Sequence, residues 1–367
     1  MSSSGDLIVE AAEVWTLSQS RLTPFASANE TVQRETHPIV ALRAGGLTGW
    51  GEAPVPVNPL YLPETVATVL DALRNHLIPR LIGTALNDPA GVAEAMAPVR
   101  GHLFAKHALE TAALDLICRA RGVGMAHLLG AQAGNVPYGA TFGLPQRPED
   151  LFGPIEDALD VGASRVKLKI APGRDIGLLS PLRARYPGLA LTADGNSAYD
   201  INDFDQLARL DEVGLTLLEQ PLAWDDFVDH ADLQARIRTQ VALDESLQSE
   251  NDLRTAIALG SCQAIVLKPA HVGGPWQAKR LHDRARAAGL EIMVGGMHDF
   301  CISRAANLAV AALPGCTIPG DVGPTDRYYA TDLLEPPLRM TDAGMPAPHL
   351  REVAADALGL ATPAFRM

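Results

Sequence analysis

Hydrophobic and polar positions fall into two textures along the chain, and the change comes near Val136. Before it, Leu7 to Leu17 and Pro38 to Arg43 have the character of strands, and Gly45-Gly46-Leu47-Thr48-Gly49 reads as the turn into a third. Pro63 to Ile78 has the apolar spacing of an amphipathic helix, with Pro63 at its start and Pro79 at its end. Ala105 to Arg121 predicts a second helix, stopped by Gly122. Strands followed by helices describe an α+β unit.

After Val136 short apolar runs recur, each followed by a helical stretch. The runs are Arg165 to Ile170, Leu189 to Ala193, Leu215 to Leu218, Val241 to Leu243, Ala264 to Leu267 and Glu291 to Val294. Helices such as Ile201 to Leu210 and Trp276 to Ala288 lie between them. Strands alternating with helices imply parallel βαβ units, and without a glycine-rich dinucleotide fingerprint they favour a closed (β/α) barrel over a Rossmann sheet. The expected fold is therefore α/β, a modified TIM barrel with an α+β capping domain. Residues 1–130 form the cap, 131–325 the barrel, and 326–367 a segment returning to the cap.

Composition narrows the function without choosing it. The 367 residues carry 30 Lys+Arg against 43 Asp+Glu, a formal charge of −13, which excludes a phosphate-backbone binder. No basic run suited to anionic lipid is present, so neither nucleic acid nor membrane is an expected partner. Met1 to Glu10 is polar and acidic, unlike a leader, and the uncharged stretch from Ala305 to Gly320 is broken by prolines and too short to span a bilayer. The cytoplasm is the expected location. Cys118, Cys262, Cys301 and Cys316 form no Cys-x-x-Cys pair and read as reduced, mostly buried thiols.

One spacing carries the chemistry. Lys169, Asp194, Glu219, Asp244 and Lys268 each close an apolar run, at steps of 25, 25, 25 and 24 residues. That step is one strand, one helix and two loops, so the five side chains come from five consecutive strands. In a barrel such strand ends converge on one face. Along the first run Arg165, Lys167 and Lys169 alternate with Val166, Leu168 and Ile170, so with the apolar set against the helices the basic set points inward. Taken singly, a carboxylate at a strand end is an ordinary helix N-cap; N-caps, however, need not recur on adjacent strands with a lysine at either end. Three carboxylates without histidine or cysteine neighbours suit a hard cation, Mg²⁺ first and Mn²⁺ next. Such an ion takes up charge when the carbon beside a carboxylate loses its proton, and a lysine on either side supplies a base to each face of that carbon.

These residues resemble the muconate-lactonising subgroup of the enolase superfamily, and most of all its o-succinylbenzoate synthase and N-acylamino acid racemase family. The likeness runs through Gly49-Trp50-Gly51-Glu52, Ala113-Leu114-Asp115-Leu116, Leu128-Leu129-Gly130 and the stretch from Leu218 to Asp226. It implies Asp194, Glu219 and Asp244 as metal ligands, Lys169 and Lys268 as acid/base residues, and Lys167 beside the substrate carboxylate. It also puts 24–29, with Phe25, and 58–61, with Tyr61, on loops of the cap over the substrate; Asn196 joins the expected substrate contacts. The implied partner is a small carboxylate, and a homo-oligomer is expected. The family's Arg after the second lysine, associated with racemase activity, is His271 here, and its Leu-Glu-Ser/Thr-Gly segment reads His298-Asp299-Phe300-Cys301. His271, His298, Asp299 and Phe300 are accordingly expected in an altered pocket wall, and the first three are a candidate proton-relay group. Racemisation of N-acylamino acids is the leading reading, dehydration to o-succinylbenzoate or another carboxylate substrate the alternative. A barrel kept only for ligand binding and a binuclear hydrolase are weaker rivals: the first leaves two interior lysines without a purpose, and the second lacks strand-end histidines.

Overall fold

The computed structural model describes residues 7–132, 134–341, 344–354 and 362–367. Residues 1–6, from the amino-terminal stretch read for a leader, and 342–343 and 355–361 of the C-terminal segment lie outside the described residues.

Three antiparallel strands open the cap: β1 (Val9–Ala26), β2 (Thr31–Ala44) and β3 (Leu47–Glu52). Gly45 and Gly46, at φ +56° and +74°, make the two-residue turn between β2 and β3, where both central positions need the left-handed region. β1 and β2 are longer than the sequence pattern predicts, because their outer ends stand as an exposed two-stranded arm with no apolar alternation to read. The helix predicted from Pro63 starts later, with Thr65 as its N-cap, as α1 (Val66–Ala72). It passes through Pro79, because a π-turn over Leu73–Leu77 opens the hydrogen-bond ladder just before the proline. α2 (Pro89–Met96) and α3 (Leu103–Arg121) complete the cap.

The Gly-Trp-Gly-Glu motif has a packing explanation. A Cβ at Gly51 stands 1.8 Å from the Ala108 carbonyl oxygen and one at Gly49 stands 2.2 Å from that of Ala112, so only glycines let β3 lie against the backbone of α3. Glu52, fully buried at the end of β3, accepts hydrogen bonds from the backbone N–H groups of Phe300 (2.7 Å) and Ser303 (2.9 Å) in the second domain. Cap and barrel are thereby joined by a buried carboxylate at a helix start.

The barrel strands are β4 (Gly139–Phe142), β5 (Arg165–Lys169), β6 (Ala190–Asp194), β7 (Leu217–Glu219), β8 (Gln240–Leu243), β9 (Ala264–Leu267) and β10 (Glu291–Val294). They are parallel and ordered as in the chain. Helices between them include α4 (Phe152–Asp160), α5 (Ile176–Arg185), α6 (Val228–Arg236), α7 (Glu250–Leu259) and α8 (Pro275–Ala287), and α9 (Cys301–Ala311) follows β10. Residues 318–321 close the ring: Gly139 donates to Gly320 (2.8 Å) and Asp321 to Val294 (3.1 Å), so an irregular segment takes the eighth position between β10 and β4. Val166 and Leu168 pack outward in the large core, whereas Leu217, Ala242, Ala264, Val266 and Met293 form a separate apolar plug. A last strand, β11 (Phe365–Arg366), pairs with the outer edge of β1. Among the described residues no helix is long and apolar enough to cross a membrane.

Candidate active site

The carboxylates and lysines picked out by spacing meet at the C-terminal ends of the strands. Register sets Lys169 beside Asp194 and Asp194 beside Glu219 on neighbouring strands, and Asp244 and Lys268 each follow the next two strands by one residue. Above them lies a cavity of about 260 Å³ between barrel and cap. Lys167, Lys169, Asn196, Lys268 and His298 line it from the barrel, and Arg21, Phe25, Arg34, Glu35 and Tyr61 line it from the cap.

Each carboxylate faces an ammonium. Lys169 Nζ is 2.6 Å from Asp194 Oδ2, and Lys268 Nζ is 2.5 Å from Asp244 Oδ2. Lys167 Nζ lies 2.9 and 3.0 Å from the two oxygens of Glu219, 3.4 Å from Asp194 Oδ2 and 2.5 Å from Asp321 Oδ2. The Tyr61 hydroxyl donates to Asp244 (3.0 Å) and accepts from Lys268 (2.8 Å). Burial pushes Asp194 up, but Lys169 and Lys167 bring it down to about 2. Glu219 goes the other way: burial and repulsion from Asp194 hold it well above the usual carboxylate range. Burial with Asp244 and Asp194 pushes the neighbouring Glu245 up to about 8. The backbone is strained beside them, since Asn196, Ser197 and Gln220 all have positive φ (42°, 61° and 33°) without being glycine.

The donor set suits a hard divalent cation. The lysines engage the carboxylates here, and among the described residues no three Asp, Glu, His or Cys side chains converge closely enough to hold an ion as they stand. Yet the buried oxygens Asn196 Oδ1 and Glu245 Oε2 have no hydrogen-bond partner, and Asp244 Oδ1 has only the long 3.3 Å approach of His271 Nδ1. Unpaired oxygens among mutually repelling carboxylates are what an oxygen-coordinated cation relieves.

Not every expected wall residue reaches the cavity. Asp299 is fully buried and accepts from Ser303 Oγ (2.6 Å) and Asn307 Nδ2 (3.1 Å), an anchor for the first turns of α9. Phe300 is also fully buried, stacked at 4.1 Å on His37 and edge-on to Tyr329, between the two domains. His271 sits behind Lys268, with Nδ1 3.3 Å from Asp244 Oδ1 and Nε2 3.1 Å from Met297 Sδ. The candidate relay of His271, His298 and Asp299 is therefore not assembled: His298 alone lines the cavity, and its Nδ1 is hydrogen-bonded to Glu35 of the cap. All four cysteines are free and three are buried, and burial pushes the thiols of Cys118, Cys262 and Cys316 up to about 12.

Sequence reasoning missed Asp321, Glu35, Arg21 and Arg34. Asp321 closes the run Thr317-Ile318-Pro319-Gly320 as the other acids close theirs, but its proline and shortness hide it as a strand end. The others lie on the outer ends of β1 and β2, where Arg21 and Glu35 are buried among mostly exposed neighbours and charged positions carry no signal of what they face.

A parallel barrel under an α+β cap, with carboxylates and lysines gathered at its strand ends, defines a two-domain barrel enzyme with an acid/base site. Residues 154–351 match the family described as Enolase C-terminal domain-like, and residues 11–130 match the Mandelate racemase / muconate lactonizing enzyme, N-terminal domain. The chain is 40% identical over 340 residues to an N-succinylamino acid racemase of Thermus thermophilus, covering 93% of this chain and 92% of that one. It is 39% identical over 333 residues to an o-succinylbenzoate synthase of Bacillus subtilis, covering 90% of each. A solved enolase-superfamily member from Listeria innocua superposes with a TM-score of 0.93 at 30% identity, over 98% of both chains. The chain belongs to the enolase superfamily, in its muconate-lactonising subgroup.

Proposed function

We propose that this enzyme racemises N-acylamino acids, removing the proton beside the carboxylate on one face of the carbon and returning one on the other. The observation that carries the reading is the placement of Lys169 and Lys268. They reach one cavity from the second and sixth of eight barrel positions, and so approach a bound α-carbon from opposite sides. Asp194, Glu219 and Asp244 would hold Mg²⁺, with Mn²⁺ as a substitute; when bound, the ion supplies a Lewis acid for the substrate carboxylate and the charge that develops beside it. Lys167 keeps a fixed positive charge at that point, because Asp321, Glu219 and Asp194 together outweigh its burial and raise it well above its ordinary value. Lys268 is held protonated by Asp244 in the present arrangement. With Asp244 committed to a cation, the lysine loses that counter-charge and burial favours its neutral, basic form.

The same lysines serve a syn-dehydration to o-succinylbenzoate, the compound for whose synthesis the Bacillus subtilis relative is named. There Lys169 would move the proton and Lys268 steady the enediolate. Incubation with Mg²⁺ in D₂O of each N-acylamino acid enantiomer and, separately, of the hydroxycyclohexadiene carboxylate whose loss of water gives o-succinylbenzoate separates the two reactions. Deuterium at the α-carbon with loss of optical rotation marks the racemase, and a new aromatic absorbance marks the dehydratase. Absence of exchange with every N-acylamino acid tried overturns the first reading. A cytoplasmic location and a homo-oligomeric state complete the proposal, and light scattering of the purified protein tests the second.

A further inference from the structure

His298 and Glu35 come from different domains and meet in the cavity wall. His298 stands four residues beyond β10, and its Nδ1 is hydrogen-bonded to Oε1 of Glu35 on β2. The Glu35 side chain is 3% exposed, whereas that of His298 is 30% exposed and lines the cavity. Phe25 packs edge-on against the ring at 5.2 Å, and the Tyr329 hydroxyl donates to the His298 carbonyl at 2.6 Å. The imidazole is thus fixed by contacts that leave one nitrogen free.

The state of that nitrogen follows from its partner. Against burial, His298, His37 and Arg21 hold the Glu35 carboxylate below its ordinary value, so it is ionised and can only accept. Nδ1 therefore carries the hydrogen. Burial, with Arg21 and Lys169 nearby, outweighs Glu35 and keeps the imidazole below its ordinary value, so the ring is neutral. A neutral imidazole that donates from Nδ1 presents a lone pair at Nε2. The neighbouring cations, Arg21, Arg34, Lys167 and Lys169, are donors only, and the cavity carboxylates are engaged: Asp321 by Lys167 and Arg165, and Glu30 by Asn58.

We propose that His298 Nε2 accepts the N–H of the substrate's acylated nitrogen, making His298 a specificity-determining residue and Glu35 the residue that positions it. The inference rests on the N-acylamino acid reading above. In such a substrate the α-carbon carries a carboxylate, a side chain and the amide nitrogen, and only the last offers a donor whatever the side chain. Replacing the nitrogen by an ester oxygen removes the hydrogen while keeping the shape, and leaves the histidine lone pair facing another acceptor.

The test compares an N-acylamino acid with its O-acyl hydroxy acid counterpart, by calorimetric titration of the Mg²⁺-loaded enzyme. Wild type is expected to bind the amide about 10- to 100-fold more tightly than the ester. His298→Leu weakens the amide and brings amide and ester to similar affinity, with ester binding retained or improved because the facing lone pair is gone, which also shows that the variant is folded. His298→Gln, which retains an acceptor, restores part of the preference. Equal binding of amide and ester by wild type, or an unchanged ratio in His298→Leu, overturns the acceptor role and leaves racemisation standing. Binding of neither overturns the substrate reading and the acceptor role with it.

Discussion

Lys268 Nζ lies 2.5 Å from Asp244 Oδ2, and the hydroxyl of Tyr61 is joined to both. A base and a metal-ligand candidate thus share one oxygen, and a bound cation competes with the ammonium for it. Mg²⁺ is therefore expected to stabilise the fold by about 2.7 kcal/mol at one hundred times its dissociation constant. Thermal denaturation with and without a chelator measures this, and Asp244→Asn is expected to abolish most of the shift. A melting temperature unmoved by Mg²⁺ speaks against the site.

Removing one lysine has an asymmetric consequence if the two face opposite sides of the carbon. Lys169→Ala and Lys268→Ala should each lower racemisation by roughly 10²- to 10⁴-fold, the usual worth of a positioned acid or base. Each variant should still exchange the α-hydrogen of one enantiomer with D₂O, and the two variants should retain opposite enantiomers. Proton NMR of each enantiomer separately reads this directly. Loss of exchange from both enantiomers in Lys169→Ala, with Lys268→Ala still exchanging one of them, is the result an enzyme with Lys169 as its single base gives.

The spacing of Lys169, Asp194, Glu219, Asp244 and Lys268 was legible because each βα unit repeats at nearly constant length, so chemistry at strand ends repeats with it. The alternation from Arg165 to Ile170 likewise assigned the interior of β5, since only one set of side chains can face the helices. Glu35 and His298 were not legible as a pair. They are separated by 263 positions in the chain and meet only when the cap is laid on the barrel, a relation that no local period encodes. Asp299 misled for the same reason: residues adjacent in sequence turn to different sides at the start of α9, and its carboxylate went to Ser303 and Asn307.

The eighth barrel position depends on one buried cation. Arg165, with no exposed side-chain surface, donates to the Pro319 carbonyl (2.7 Å) and to Thr192 Oγ1 (2.9 Å), and pairs with Asp321. Lys167 shares that carboxylate, so Asp321→Asn leaves two buried cations short of a counter-charge. The variant is expected to lose about 3–5 kcal/mol, the usual cost of removing one member of a buried pair. Urea unfolding checks it, and a change under about 1 kcal/mol shows that the closing segment is held by its backbone alone.

Glu110 gives the fold a pH dependence separate from catalysis. It is fully buried on α3 and accepts the backbone N–H of Trp276 (2.7 Å) in the first turn of α8, while its second oxygen has no partner. Burial pushes it from 4.5 up to about 8, in spite of the Trp276 and Gln277 N–H groups and Arg280. Between those values the folded chain keeps a proton that the unfolded chain has released. The stability contributed is therefore complete below pH 4.5, falls as pH rises, and is gone once pH has passed through about 8. Each pH unit in that window costs at most about 1.4 kcal/mol. Glu110→Gln still accepts from Trp276 but cannot ionise. Its unfolding free energy from denaturant titration should thus match wild type near pH 4.5 and exceed it by a few kcal/mol (about 3–5 in the limit) near pH 8. A difference that stays constant across this range would mean that Glu110 is ionised throughout, with the start of α8 stabilising its charge.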